Sequence, residues 1–135
     1  MARNDPCILL IEADLAVRHP LSEYLRTCGY KVLEAGTTDE ALIILKSADR
    51  GFEIDVLLCD VNSPGSIDGF GLSRWVREHQ PGLRVILAGS IERMTEQAGD
   101  LCEKGLILEK PYHYQTLLDR IKREKARHDN IRSRN

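Results

Sequence analysis

Five short apolar runs alternate along this chain with stretches of helical period, and no other feature restricts the fold as much. The runs are Cys7–Ile11 (CILLI), Lys31–Ala35 (KVLEA), Ile54–Cys59 (IDVLLC), Arg84–Ala88 (RVILA) and Leu106–Glu109 (LILE). Three of them are almost continuously apolar, the pattern of strands covered on both faces. Between the runs, Val17, Leu21, Tyr24, Leu25 and Cys28 fall on one helical face, with Gly29 as a C-terminal stop. Ala41, Leu42, Leu45 and Ala48 make a second helix, opened by Thr37-Thr38-Asp39-Glu40. That tetrapeptide has the form of a capping box with Thr37 as the cap. Leu72, Trp75 and Val76 define a third helix ending before Pro81-Gly82. Ile91, Met94, Ala98, Leu101 and Cys102 define a fourth, and Tyr114, Leu117, Leu118 and Ile121 a fifth. Strands and helices in strict alternation predict a doubly wound α/β domain: a parallel five-stranded sheet, right-handed crossovers and helices on both faces. Pro20 fits poorly inside the first helix, because it removes a backbone hydrogen bond there. The expectation is a helix that starts near His19 with Pro20 at its first position, or one with a distorted first turn.

With 135 residues the chain has room for one such domain. Residues 1–6 read as a leader, 7–124 as the domain, and 125–135 as a basic tail that extends the last helix and then frays. Formal net charge is −2, so no bulk field draws the body to nucleic acid or to an anionic membrane. Lys122–Asn135 holds six Lys/Arg against two acids, but no aromatic residues are interleaved with them, so a solvated helix end is the expectation and not a nucleic-acid contact. No apolar run has the length of a membrane span, and the leader lacks the apolar centre of a signal peptide. Cys7, Cys28, Cys59 and Cys102 are widely spaced and read as reduced, mostly core thiols. A cytoplasmic location is therefore expected.

Ligands of open parallel sheets bind beyond the carboxyl ends of the strands, where strand order reverses. The residues found there decide the chemistry. Glu12, Ala13 and Asp14 follow the first run, and Asp60, Val61 and Asn62 the third. Ala88, Gly89 and Ser90 follow the fourth, and Lys110-Pro111 the fifth. Three carboxylates and one ammonium are thus predicted to meet on a small patch. Carboxylate oxygens suit Mg²⁺, which takes few protein ligands and keeps several waters. A lysine beside them offers a point charge to a phosphoryl oxygen.

The segments ILLIEAD, LLCDVNSPGSIDGFGLSRWVRE, VILAGS and LILEKPY resemble, in that order, the receiver domain of bacterial two-component response regulators. The likeness runs from about Cys7 to about Arg123. It implies a flavodoxin-like sheet of order 2-1-3-4-5 with five helices, and a signalling role without enzymatic turnover. By resemblance Asp60 is the phosphoacceptor, charged by a sensor histidine kinase or a phosphotransfer protein. Glu12, Asp60 and the backbone carbonyl of Asn62 are the implied Mg²⁺ ligands, with Asp14 as a weaker one, and Lys110 binds the phosphoryl oxygens. The Lys110–Pro111 bond is expected to be cis. A downstream protein target, or a second copy of the chain, would dock on the face of the fourth and fifth predicted helices and the fifth strand. With the chain ending soon after the fifth helix, a stand-alone receiver is expected.

Several positions depart from the family pattern. The second acid of the usual pair is Ala13, and the usual hydroxyl after the fourth strand is Ala88, with Ser90 as a substitute hydroxyl or a helix cap. The usual aromatic of the fifth strand is Ile107, and the loop Asn62–Asp68 is one residue longer than its commonest form. Two alternatives therefore stay open: a degenerate receiver that works through protein contacts alone, and a metal-dependent phosphohydrolase. Bland readings also stand beside the sharp ones. Asp14 serves equally as an acid at a helix start, Trp75 as packing, Arg18 and Arg93 as solvated arginines, and His19, His79, His113 and His128 as surface residues.

Overall fold

Every residue of β1 (Cys7–Ile11) is buried, and a strand buried on both faces belongs in the middle of a sheet. The computed structural model describes residues 5–47, 53–89 and 107–133. In it β1 pairs in parallel with β2 (Lys31–Ala35) on one side and β3 (Val56–Asp60) on the other. β4 (Arg84–Gly89) and β5 (Ile107–Glu109) complete a parallel sheet of order β2-β1-β3-β4-β5, the order expected. The third strand starts two residues later than the apolar run and extends to Asp60, so the candidate nucleophile is its last residue.

Alternate strand residues point to opposite faces, and each face has its own core. On one side Leu9, Ile11, Leu57, Cys59, Val85 and Leu87 pack with Ala41 and Leu45 of α2 (Thr38–Lys46) and Phe70, Leu72 and Val76 of α3 (Gly69–His79). On the other, Ile8, Leu10, Val56, Leu58, Ile86 and Leu108 pack with Leu21 and Leu25 of α1 (Leu15–Thr27) and with Leu117 and Ile121 of α4 (Tyr114–Ser133). α4 is the fifth of the sequence-predicted helices. The fourth, over Ile91–Cys102, lies outside the described residues, as does Ser90.

Two local expectations are corrected. α1 opens at Leu15, five residues ahead of Pro20. The Asp14 carboxylate accepts the Ala16 N–H at 3.0 Å, and the Asp14 carbonyl accepts Val17 and Arg18 N–H at 3.0 and 2.8 Å. With its first turn satisfied in this way and Leu21 and Leu25 buried behind it, the helix carries the missing proline donor without a late start. Cys28 and Val17, assigned to the buried face of this helix, are exposed, while Cys7 and Cys59 are buried free thiols.

The second correction concerns His128. α4 continues to Ser133, so the basic segment extends the last helix as expected, but His128 is buried and not a surface residue. One ring nitrogen, Nδ1, lies 2.9 Å from the Gly82 carbonyl; the other, Nε2, is 2.6 Å from Glu53 Oε2 and 3.2 Å from Asp55 Oδ1. Asp55, itself buried, accepts the Cys7 N–H at 2.7 Å. One turn earlier the fully buried Glu124 meets Arg84 at 2.9 Å and Arg127 at 3.1 Å. The helix is therefore clamped to the N-terminal ends of β1, β3 and β4, opposite the end that carries Asp60. His128→Ala, which removes the contacts to Gly82 and Asp55, is expected to lower unfolding free energy by about 1–3 kcal/mol in urea titrations. The exposed Lys122→Ala on the same helix should change it by less than about 0.5 kcal/mol.

Candidate functional site

Asp60 ends β3 opposite Ala88 of β4, and the chain turns sharply away behind it. The turn is held by its own side chains. Asp60 Oδ1 accepts the Asn62 N–H at 2.7 Å, while the Asp60 carbonyl accepts both the Ser63 N–H at 3.1 Å and the Ser63 hydroxyl at 2.7 Å. Gly69, at the start of α3, lies so close that a Cβ there would fall 2.6 Å from the Asp60 oxygen and 2.8 Å from Val61 Cα. A residue without a side chain is what lets the helix begin against the end of the strand. Asp68 caps that helix by accepting the Gly71 N–H at 2.9 Å.

The long loop between them rests on the start of α2. Thr38 donates its hydroxyl to the Ile67 carbonyl at 2.6 Å and its N–H to the Pro64 carbonyl at 2.9 Å, and Asp39 accepts the Ser66 N–H at 3.1 Å. Gly65 turns with φ +139°, packed so that a Cβ would meet the Thr38 hydroxyl. The Asp68-Gly69 and Pro64-Gly65 pairs stand in the sequence among the segments that carry the family likeness. Ser63, and the tie of Thr38 to this loop, were not singled out, because their partners are fixed only by the fold.

Lys110 closes the site from the far side of the sheet. Its backbone N–H is held by the Gly89 carbonyl at 2.8 Å, and the Lys110–Pro111 bond is cis. Its ammonium donates to Asp60 Oδ2 and, at 3.1 Å, to Glu12 Oε1. Burial alone would lower the Lys110 pKa, but hydrogen bonding and attraction from Asp60, then from Glu12, outweigh it and raise the pKa above its ordinary value. Residues 12, 60 and 110 thus meet at one point. Asp14 does not join them: its carboxylate caps α1, and its N–H is held by Glu12 Oε2 at 3.1 Å. Ala13 is exposed and Ala88 is buried, so neither offers a ligand or a hydroxyl.

Among the described residues no cluster of three or more His, Cys, Asp or Glu side chains is arranged to hold a metal. Two carboxylates facing a common point with a main-chain carbonyl nearby in sequence still match what Mg²⁺ requires, since it takes one or two carboxylates and fills the remaining positions with water. Glu12, Asp60 and the Asn62 carbonyl would hold it.

A strand-end aspartate bound by a lysine from the last strand, in a 2-1-3-4-5 sheet, agrees with what sequence comparison finds. The model of the response regulator receiver domain family matches residues 8–122. The chain belongs to that family. The receiver is 32% identical over 119 residues to the response regulator protein FleR of Pseudomonas aeruginosa, covering 86% of this chain and 24% of FleR. It is 29% identical over 118 residues to the transcriptional regulatory protein AruR of the same organism, covering 87% of this chain and 48% of AruR. The chain thus spans less than half the length of these curated relatives. Among solved structures, the receiver domain of the hybrid histidine kinase CckA is 34% identical, with a TM-score of 0.69 over 88% of this chain and 98% of that one. A signal receiver domain from Pseudomonas fluorescens shares the fold at a TM-score of 0.84 and 22% identity, covering 100% and 97% of the two chains.

Two measurements probe this geometry. Gly69→Ala should cost about 1–3 kcal/mol in unfolding free energy, because the added methyl meets backbone that cannot give way. Lys110 has a raised folded pKa, so its stabilisation is complete below its ordinary value of 10.5 and is lost as pH rises through the higher folded value. The unfolding free energy of the wild type should therefore fall more steeply above about pH 10.5 than that of Lys110→Met.

Proposed function

We propose that this receiver is a phosphorylatable switch in a two-component phosphorelay, with Asp60 as the acceptor. Its donor would be a phosphohistidine of a sensor kinase or phosphotransfer protein. A carboxylate oxygen of Asp60 attacks phosphorus, the phosphorus–nitrogen bond of the donor breaks, and its electron pair stays on the departing imidazole nitrogen. The observation that carries the reading is the Lys110 ammonium lying between Asp60 and Glu12. It keeps a site of two carboxylates from repelling an anionic donor and is placed to follow charge onto the phosphoryl oxygens. Bound Mg²⁺, held by Glu12, Asp60 and the Asn62 carbonyl, would supply further neutralisation of that charge. The dianionic product on Asp60 would then alter the surface read by a downstream protein target, or by a second copy of the chain through β5 and α4. The receiver proper would cover residues 7–124, between a leader at 1–6 and the basic segment 125–135, whose packing through His128 joins it to the domain body. The reading places the receiver in the cytoplasm, where a sensor kinase's phosphohistidine would meet it; among the described residues no helix is long and apolar enough to cross a membrane.

A second reading is favoured by two specific positions, Ala13 and Ala88, which remove one metal-side acid and one phosphoryl-side hydroxyl. It makes the domain a phosphorylation-independent interaction module. Incubation with acetyl phosphate and Mg²⁺ followed by intact-mass measurement separates the two. The phosphoacceptor reading expects the mass of one phosphoryl group on the wild type and none on Asp60→Asn. No gain on either protein, with no amide shifts near Asp60 on adding beryllofluoride and Mg²⁺, would leave the module reading standing.

A further inference from the structure

We infer that Arg18 is a positioning residue for Glu12, fixing the one remaining metal-side acid in the loop where Ala13 contributes none. This rests on the phosphoacceptor reading above.

Arg18 sits one turn into α1, and its side chain is only 20% exposed. The guanidinium, expected from the sequence to be a solvated charge, reaches back over the loop instead. Its Nη1 donates to the Glu12 carbonyl at 2.8 Å and its Nε to Glu34 Oε1 at 3.0 Å. The other oxygen of Glu34 accepts Arg26 Nη2 at 3.1 Å, and that nitrogen also donates to the Val32 carbonyl at 3.0 Å. Glu34 is therefore fixed by two arginines from the same helix. Burial pushes its carboxyl pKa up, but the hydrogen bonds from Arg18 and then Arg26 outweigh this and hold it below the ordinary value, keeping it anionic near neutral pH.

With this contact every polar atom of Glu12 has a partner. Its N–H donates to the Ala35 carbonyl at 3.0 Å, its carbonyl takes Arg18, Oε2 takes the Asp14 N–H, and Oε1 takes Lys110. The first of these comes from the sheet; Arg18 reaches in from the helix. A planar fork serves a carboxylate and a carbonyl in fixed directions at once, which a lysine ammonium on a flexible stem does poorly. Where Asp14 is taken by the helix cap and Ala13 has no polar atom in its side chain, the direction of the Glu12 carboxylate depends on where its own backbone is held. Outer partners of this type commonly change metal affinity by about 10–100-fold.

The test is a Mg²⁺ titration followed by amide shifts of Asp14 and Asn62, together with hydrogen exchange of the Asp14 amide in metal-free protein. Arg18→Ala should weaken Mg²⁺ binding about tenfold and speed Asp14 exchange, at temperatures where circular dichroism shows the variant folded. Arg18→Lys should recover only part of the affinity. Arg26→Ala, which spares the Glu12 contact, should change it less than Arg18→Ala. Should Arg18→Ala fail to fold, Arg18→Lys and Glu34→Gln carry the same test, each weakening Mg²⁺ severalfold. Binding within twofold of wild type in the folded variants, with Asp14 exchange unchanged, overturns the inference and leaves the phosphoacceptor reading intact. No Mg²⁺ response in the wild type overturns both.

Discussion

The ammonium of Lys110, set between the carboxylates of Glu12 and Asp60, is the interaction on which the candidate site depends. Two carboxylates at neighbouring strand ends repel each other, and partial burial makes that repulsion costlier than it is in water. One cation shared between them relieves it. The lysine directly follows the last strand, about 100 residues beyond Glu12, so the pairing can form only once β5 is seated beside β4. The same three groups that make the site tolerable in the resting protein are those that would handle an incoming phosphoryl group. Under the proposed function, Lys110 would exchange one acceptor for another without leaving the site.

The remainder of the strand-end surface serves to hold those groups still. Asp60 cannot drift, because its carbonyl carries two bonds from Ser63 and its carboxylate one from Asn62, with Gly69 pressed behind it. Glu12 is held at both backbone atoms and both carboxylate oxygens. The long loop after β3 is tied to α2 through Thr38 and Asp39, so its extra residue is accommodated by contact with a neighbouring helix. At the opposite end of the sheet, Glu124 and His128 tie the last helix to the strand starts through buried polar side chains. A domain clamped at one end and preorganised at the other suits a part whose output is a change at one face.

Much of the architecture was legible along the chain because burial of both sheet faces demands unbroken apolar runs, and CILLI and VLLC could be little else. The Thr37–Glu40 capping box was equally plain, since its partners are three residues apart and local chemistry settles them. Pro20 misled because local propensity argued for a late helix start, while the local Asp14 cap and the long-range burial of Leu21 and Leu25 against the sheet together hold the helix from Leu15. His128 misled for a related reason. Its neighbours Gly82, Glu53 and Asp55 are about 46 to 75 residues away, and nothing in the adjacent sequence announces them.

By itself the sequence determined the element order, the parallel sheet and the set of polar residues at the strand ends, because period, apolar length and turn chemistry are local properties. The tertiary structure alone decided which of those polar residues meet. It brought Glu12 and Asp60 to Lys110 and drew Arg18 from solvent onto the backbone of Glu12. The physical reason is that a carboxylate's role depends on which donors reach its oxygens, and those donors come from strands and helices distant in sequence that only folding sets side by side.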